Sequence, residues 1–354
     1  MKIKNNGKIL LLLFSMLLII SGCGETKEKE ATKLVNDPYS RTEFLMGTVV
    51  NVKIYDEGKK EVLTEVFDRI EELSEKITVN DGQSEVEKIN EQAGIQPLEV
   101  SDDIYSLLKA AYGYSKESDG GFDMTIGPLT DLWRIGFDDA KKPIQSEIDA
   151  SLALVDYSKV ELDDEKQTIF LKDKDMRLDL GAIAKGYITD EAVETLKENE
   201  VSTAIVDLGG NIFVLGNSPR AKDAEWNVGI QDPFETRGEI LGSIPISNKT
   251  IVTSGIYERF IEVDGEKYHH LLDPETGYPF NNELAGVSII TEQSIDGDGL
   301  STVVFSKGLD GGLDFINQSE GIEAIFVTKD KSVYLSNGMK KQFRLNNDNF
   351  NLKN

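Results

Sequence analysis

In the stretch SIDGDGLST, Asp298 and Thr302 stand four residues apart near the expected start of a helix. On a helix that spacing puts a carboxylate and a hydroxyl on one face. Two hard oxygens suit Mg²⁺, which keeps its other positions for water and phosphate. Acids and glycines ahead of a helix also act as N-terminal caps, and neighbouring Asp296 fits that reading too. A second candidate is LDLGAIAKGYITDEA. It reads as a strand ending at Asp179 that turns into a helix, with Gly181 and Gly186 allowing close backbone approach. Lys185 lies where free N–H groups cradle phosphate, and Asp179 could bond a base or ribose. The GxxxxGK[ST] spacing is absent, so this is no P-loop. An exposed Lys on an ordinary strand-to-helix turn is the alternative.

Two further segments offer backbone and rings. In DGGFDMTIGPLTDLW, Gly120, Gly121 and Gly127-Pro128 bracket an expected short strand, with Asp123 on a glycine-framed loop. Phe122, Met124 and Trp133 could flank a planar ring or fill a core. VDLGGN reads as a tight turn open to an anion or a ring. The chain's only two histidines are adjacent in YHHLLDPETG. In an extended strand they face opposite ways. His270 is then a candidate proton acceptor near neutral pH, and one of the two is expected to face solvent; a structural role for both is the alternative.

Composition narrows the function classes. The 354 residues carry a formal net charge of -25, the wrong sign for tracking nucleic-acid phosphates. A hydrophobic fraction of 39% and an aromatic fraction of 8% suffice for a core. Lys2, Lys4 and Lys8 precede an apolar run from Ile9 to Ile20, too short to span a bilayer but right for a signal h-region. It ends in ISGC at Cys23, as a bacterial lipoprotein signal does. With one Cys in the chain, a disulfide, a Cys-ligated zinc, an iron–sulfur cluster and a thiol nucleophile in the mature body are excluded. Three segments follow: residues 1–22 as signal peptide, 23–38 as a polar, lipid-anchored tether, and 39–350 as one folded domain, with two lobes as the variant arrangement. Helices read at KKEVLTEVFDRIEELSEKI, SEVEKINEQAG, SDDIYSLLKAAYGYSKESDGG and DGDGLSTVVFSKG are interspersed with strands. EAIFVTKDKSVYLS reads as a terminal hairpin. No regular βαβ alternation is present, which argues for α+β.

MGT (Met46 to Thr48), GFDMTIGPLTDLW, LDLGAIAKGY, VDLGGN, TSG (Thr253 to Gly255), HHLLDPETG and DGDGLST, in this order, resemble the ApbE family of FAD:protein FMN transferases. The resemblance implies a T-fold-like catalytic domain that binds FAD and Mg²⁺, transfers FMN to a Thr or Ser hydroxyl of an extracytoplasmic acceptor protein, and releases AMP. By motif position it implies metal ligation by Asp298, Thr302 and the Ala182 carbonyl. It implies FAD contacts at Met46, on Gly121-Phe122-Asp123, at Asp179 and Lys185, and near Leu272, with His270 as base. Asn80 stands where many relatives have a ring-stacking Tyr, and Ser301 where some have a further Asp. Lipidation of Cys23 would hold the protein on the extracytoplasmic face of the cell membrane. A Mg²⁺-dependent FAD pyrophosphatase and a non-catalytic flavin-binding lipoprotein are the competing readings.

Overall fold

A computed structural model describes residues 33–79 and 83–353; Cys23 and Asn80 lie outside them. β1 (Leu34–Leu45) and β2 (Thr48–Asp56) form an antiparallel hairpin around Met46-Gly47. Alternation sets the buried face of β2, with Val50, Val52, Ile54 and Asp56 inward. β1 begins five residues before the expected Tyr39, because Leu34 pairs with Asp56 and the Glu57 N–H donates to the Lys33 carbonyl. α1 (Val62–Ile77) buries Val62, Val66, Phe67, Ile70 and Leu73, its helical apolar stripe. α2 (Glu85–Glu91), capped by Ser84, is followed by β3 (Leu98–Glu99) and α3 (Asp102–Glu117).

Two expected strands are absent. Between Gly121 and Gly127 the backbone turns, since Asp123 accepts the Thr125 N–H and hydroxyl, and Gly127-Pro128 opens α4 (Gly127–Trp133). After α5 (Gln145–Leu152), β4 (Val160–Asp163) and β5 (Thr168–Leu171), the segment before Asp179 is a loop. Its N–H groups go to separate elements, Leu178 to the Asn90 side chain and Asp179 to the Met124 carbonyl. Only the Arg177–Ile126 bridge is strand-like there.

α6 (Ala184–Glu198) leads into β6 (Ala204–Leu208), β7 (Asn211–Leu215), β8 (Trp226–Gln231), β9 (Ile240–Ile246) and β10 (Lys249–Gly255). The hairpin of β11 (Phe260–Val263) and β12 (Glu266–His269) precedes β13 (Leu284–Thr291) and α7 (Ser294–Gln318). α7 is kinked at Gly308, whose φ of 67° is non-helical. β14 (Glu323–Thr328) and β15 (Ser332–Leu335) form the expected hairpin, but β16 (Arg344–Leu345) and β17 (Asn351–Lys353) follow it.

The main sheet runs β1-β2-β6-β7-β10-β13-β14-β15-β17, antiparallel except at the β15–β17 edge. On one face, β2 and β6 pack against α1, α3 and α6. On the other, β7, β10, β13 and β14 pack against the small sheet of β8 and β9. Every residue of β13 is buried, and its sequence is apolar apart from Thr291 and Ser288, whose hydroxyl pairs with that of Thr253 at 2.8 Å. Val287 and Ile289 of β13 meet Leu300, Val304 and Phe305 of α7. Each such fully buried large side chain is worth about 1.5–3 kcal/mol, so α7 is held firmly against the sheet. Lys33–Asn354 forms one compact unit, an α+β domain rather than two lobes.

Candidate functional site

α6 and α7 meet at Gly186. A Cβ there would stand 2.4 Å from the Ser294 carbonyl oxygen and 2.8 Å from the Asp298 Cβ. Only a residue without a side chain lets the helices approach this closely. The contact delivers Asp298, 3% exposed, to the N-terminal turn of α6. Its Oδ2 accepts the Gly186 N–H at 2.9 Å, and its Oδ1 lies 3.1 Å from Lys185 Nζ. A regular helix would aim the Gly186 N–H at the Ala182 carbonyl. Because that N–H goes to Asp298, the Ala182 carbonyl oxygen accepts no hydrogen bond among the described residues. The half-buried Thr302 hydroxyl, one turn along α7, also makes none.

The capping interpretation of this segment does not hold. α7 starts at Ser294, and its first N–H groups donate to Asp190 of α6 at 2.7 and 2.8 Å. Burial pushes the Asp190 carboxyl up to about 6 despite these two bonds. Asp296 turns away and accepts the Tyr114 hydroxyl at 2.5 Å. Ser301 is fully buried; its hydroxyl donates to the Asp298 carbonyl and pairs with Ser254 of β10 at 2.8 Å. It therefore ties α7 to the sheet and offers no oxygen to a ligand.

A cleft of about 1570 Å³ opens beside this junction. It is lined by Asp298, Thr302, Ala182 and Lys185, and also by Met46, Gly121, Phe122, Asp123, Asp179, Leu272 and His270. The described residues that the family resemblance assigns to metal, FAD and base thus share one cavity, large enough for a dinucleotide. Asp179 Oδ1 accepts the Gly181 N–H at 2.8 Å, shaping the turn before α6. Asp123 is 8% exposed and bonds Thr125 and the Tyr157 N–H, so its oxygens brace their own loop. Burial raises its carboxyl above the usual range. Met124 and Trp133 are fully buried and fill the core, Trp133 donating from Nε1 to the Gly277 carbonyl.

The histidines divide differently from expectation. His269 does not face solvent: it is 6% exposed, bonds the Phe280 carbonyl through Nε2 and meets Phe305 edge-on. The face opposite the cleft is core, because β13 and α7 cover it. His270, just past β12, lines the cleft. Its N–H donates to the Arg259 carbonyl at 3.1 Å, and its ring Nδ1 lies 3.3 Å from the same oxygen. A carbonyl only accepts, so that contact requires the proton on Nδ1 and leaves the lone pair on Nε2. Crowding by the cleft walls pushes the imidazole down to about 3, against the opposing pull of the Arg259 carbonyl. His270 is thus neutral near pH 7, with its lone pair on Nε2.

The sequence reading missed part of the lining. Asp207, whose carboxylate accepts the Gly210 N–H and is raised by burial, shapes the VDLGGN turn. Glu258, Arg259 and Arg237 also face the cavity. Only their closeness to the TSG segment could have marked Glu258 and Arg259.

The oxygens beside Lys185 form a hard-donor set. Among the described residues, no cluster of three or more His, Cys, Asp or Glu side chains could hold a metal. One carboxylate, one hydroxyl and one carbonyl nevertheless suit a cation that takes its other ligands from phosphate and water. Lys185 shows that the pocket accommodates positive charge against Asp298.

A family model described as the ApbE family matches residues 46–326. The chain is 40% identical over 308 residues to the FAD:protein FMN transferase of Klebsiella pneumoniae (strain 342), spanning 87% of this chain and 95% of that protein. It is 36% identical over 322 residues to the FAD:protein FMN transferase of Treponema pallidum (strain Nichols), spanning 87% and 89%. Its fold is similar to a crystal structure of the ApbE protein from Thermotoga maritima MSB8, with TM-score 0.78 and 31% identity over 87% of this chain and 100% of that one. The flavin transferase ApbE from Vibrio cholerae gives TM-score 0.76 at 25% identity, over 88% and 100%.

Proposed function

The chain belongs to the ApbE family, and on that premise we propose that it is an FAD:protein FMN transferase, using Mg²⁺ to move FMN from FAD to a Thr or Ser hydroxyl of an acceptor protein and releasing AMP. The observation that carries this is the convergence on one cleft of Asp298, the Thr302 hydroxyl and Ala182 carbonyl, both without a hydrogen-bond partner among the described residues, and a neutral His270.

Asp298, Thr302 and Ala182 would hold Mg²⁺, which when bound offsets the charge of the pyrophosphate that repels an incoming oxygen. Lys185, already in contact with Asp298, is the cation positioned to turn to a phosphate oxygen once Asp298 has another partner. Met46, Gly121-Phe122-Asp123, Asp179 and Leu272 would orient FAD along the cavity. His270 Nε2 takes the acceptor proton as the hydroxyl oxygen attacks the FMN phosphorus. The bond from that phosphorus to the bridging oxygen breaks, and AMP leaves with the electron pair. Base assistance of this kind contributes about 10²- to 10⁴-fold.

The acceptor would be an exported protein, with the enzyme tethered through lipidated Cys23 at the extracytoplasmic membrane face. Among the described residues no helix is long and apolar enough to cross a membrane. The test is to incubate the protein with FAD, Mg²⁺ and membrane proteins from cells lacking it. Intact mass spectrometry should show an acceptor heavier by one FMN moiety, with one AMP released per acceptor. Free FMN and AMP with no modified acceptor would instead identify a pyrophosphatase, and bound FAD without turnover a flavin carrier.

A further inference from the structure

Arg259 is a further cation lining the cleft. Arg259 reaches it along a path made by two glycines. Gly136 has a φ of +102°, and a Cβ on it would come 3.0 Å from Arg259 Cδ. Gly47 has a φ of +69°, and a Cβ there would stand 3.7 Å from a terminal guanidinium nitrogen. The side chain therefore lies across the Gly136 backbone and ends at the Met46-Gly47 turn of the cavity wall. Its guanidinium forms no ion pair or side-chain hydrogen bond among the described residues, in a protein of net charge -25. Glu258, its chain neighbour in the same cavity, is not within ion-pair distance of it. Arg134, by contrast, is held by Asp139 at 2.7 Å, and Lys185 by Asp298. Arg237 rides the exposed turn between β8 and β9 and shares no backbone contact with His270.

One residue thus carries both a guanidinium with no hydrogen-bonded or ion-paired partner among the described residues, acting on Glu258 only at longer range, and the carbonyl that fixes the tautomer of His270. The Arg259 and His270 side chains line the same cleft, and the Arg259 charge is close enough to help hold the imidazole below its ordinary value. Resting on the transferase reading, we propose that Arg259 is a catalytic residue whose guanidinium binds the non-bridging oxygens of the phosphoryl group being transferred. In the step, the acceptor oxygen bonds to the FMN phosphorus, His270 Nε2 takes the hydroxyl proton, and AMP departs with the electrons of the broken P–O bond. Negative charge spreads over the non-bridging oxygens as this happens. A planar, always-charged fork is suited to that charge.

The test uses the full-length protein with FAD, Mg²⁺ and membranes from cells lacking the chain. Arg259→Gln should lower the FMN-transfer rate at saturating FAD by about 10²- to 10³-fold, the usual loss for one donor aimed at transition-state charge. FAD affinity, read from flavin fluorescence, should stay within about threefold, since ground-state binding gains little from such a donor. Arg259→Gly should regain rate when guanidinium chloride is added at non-denaturing concentration, a response that a purely structural role would not give. The proposal is overturned if Arg259→Gln transfers FMN at the wild-type rate, if saturating FAD restores its rate, or if guanidinium leaves Arg259→Gly inactive. No FMN transfer by the wild-type protein under the same conditions would overturn the transferase reading beneath it.

Discussion

Replacing Asp298 by Asn is expected to lower FMN transfer by about 10³-fold or more, the scale of several kcal/mol of charge stabilisation lost with a cation. The choice of Asn matters. Its Oδ1 can still accept the Gly186 N–H, so the junction of α6 and α7 is preserved. What disappears is the negative charge, and with it the grip on a divalent ion and on Lys185. Excess Mg²⁺ should rescue the variant only weakly, because the Thr302 hydroxyl and Ala182 carbonyl are neutral donors. The loss should therefore appear as failed AMP release at every Mg²⁺ concentration, with the melting temperature close to wild type. A variant that keeps its rate would remove Asp298 from the chemistry.

His270→Asn should slow transfer by about 10²- to 10⁴-fold while FAD still binds, as flavin fluorescence would report. Loss of FAD binding instead would make His270 a substrate contact. The pH dependence supplies an independent check. The folded-state pKa of His270 is depressed to about 3, so its base form persists at every pH above that value. The wild-type rate should accordingly show no acid limb near 6.5, the ordinary imidazole value, between about pH 5 and 8. An acid limb centred there, absent from His270→Asn, would mean that the imidazole titrates as an open one and that the cleft does not hold it neutral.

Helical spacing made the pairing of Asp298 with Thr302 readable, and α7 does present both to one cavity. The partners of Asp298 were not readable. Lys185 and the Gly186 N–H come from a helix 112 or more residues earlier, and no local pattern marks that meeting. The cap of α7 comes likewise from Asp190, 104 residues before Ser294, which is why Asp296 and Asp298 could pass for caps. Alternation of an extended chain did separate His269, the last residue of β12, from His270 just past it. It could not tell which side was solvent, because the cover over His269 is supplied by the distant α7 and Phe280. The expected strand before Asp179 failed for a related reason. Its sequence is strand-like, but its N–H groups are claimed by Asn90 and Met124 rather than by a neighbouring strand. Arg259 escaped notice because its significance lies in glycines at positions 47 and 136, each harmless by itself.

On the proposed reading, catalysis rests on one divalent cation that Asp298, Thr302 and the Ala182 carbonyl would hold. The most direct measurement is an anomalous difference map from crystals grown with FAD and Mn²⁺ in place of Mg²⁺. The expected result is a single strong peak in ligand contact with the Asp298 carboxylate, the Thr302 hydroxyl and the Ala182 carbonyl, with Lys185 Nζ moved off Asp298 toward the pyrophosphate. FAD bound in the cleft with no peak there, and Lys185 still on Asp298, would contradict it.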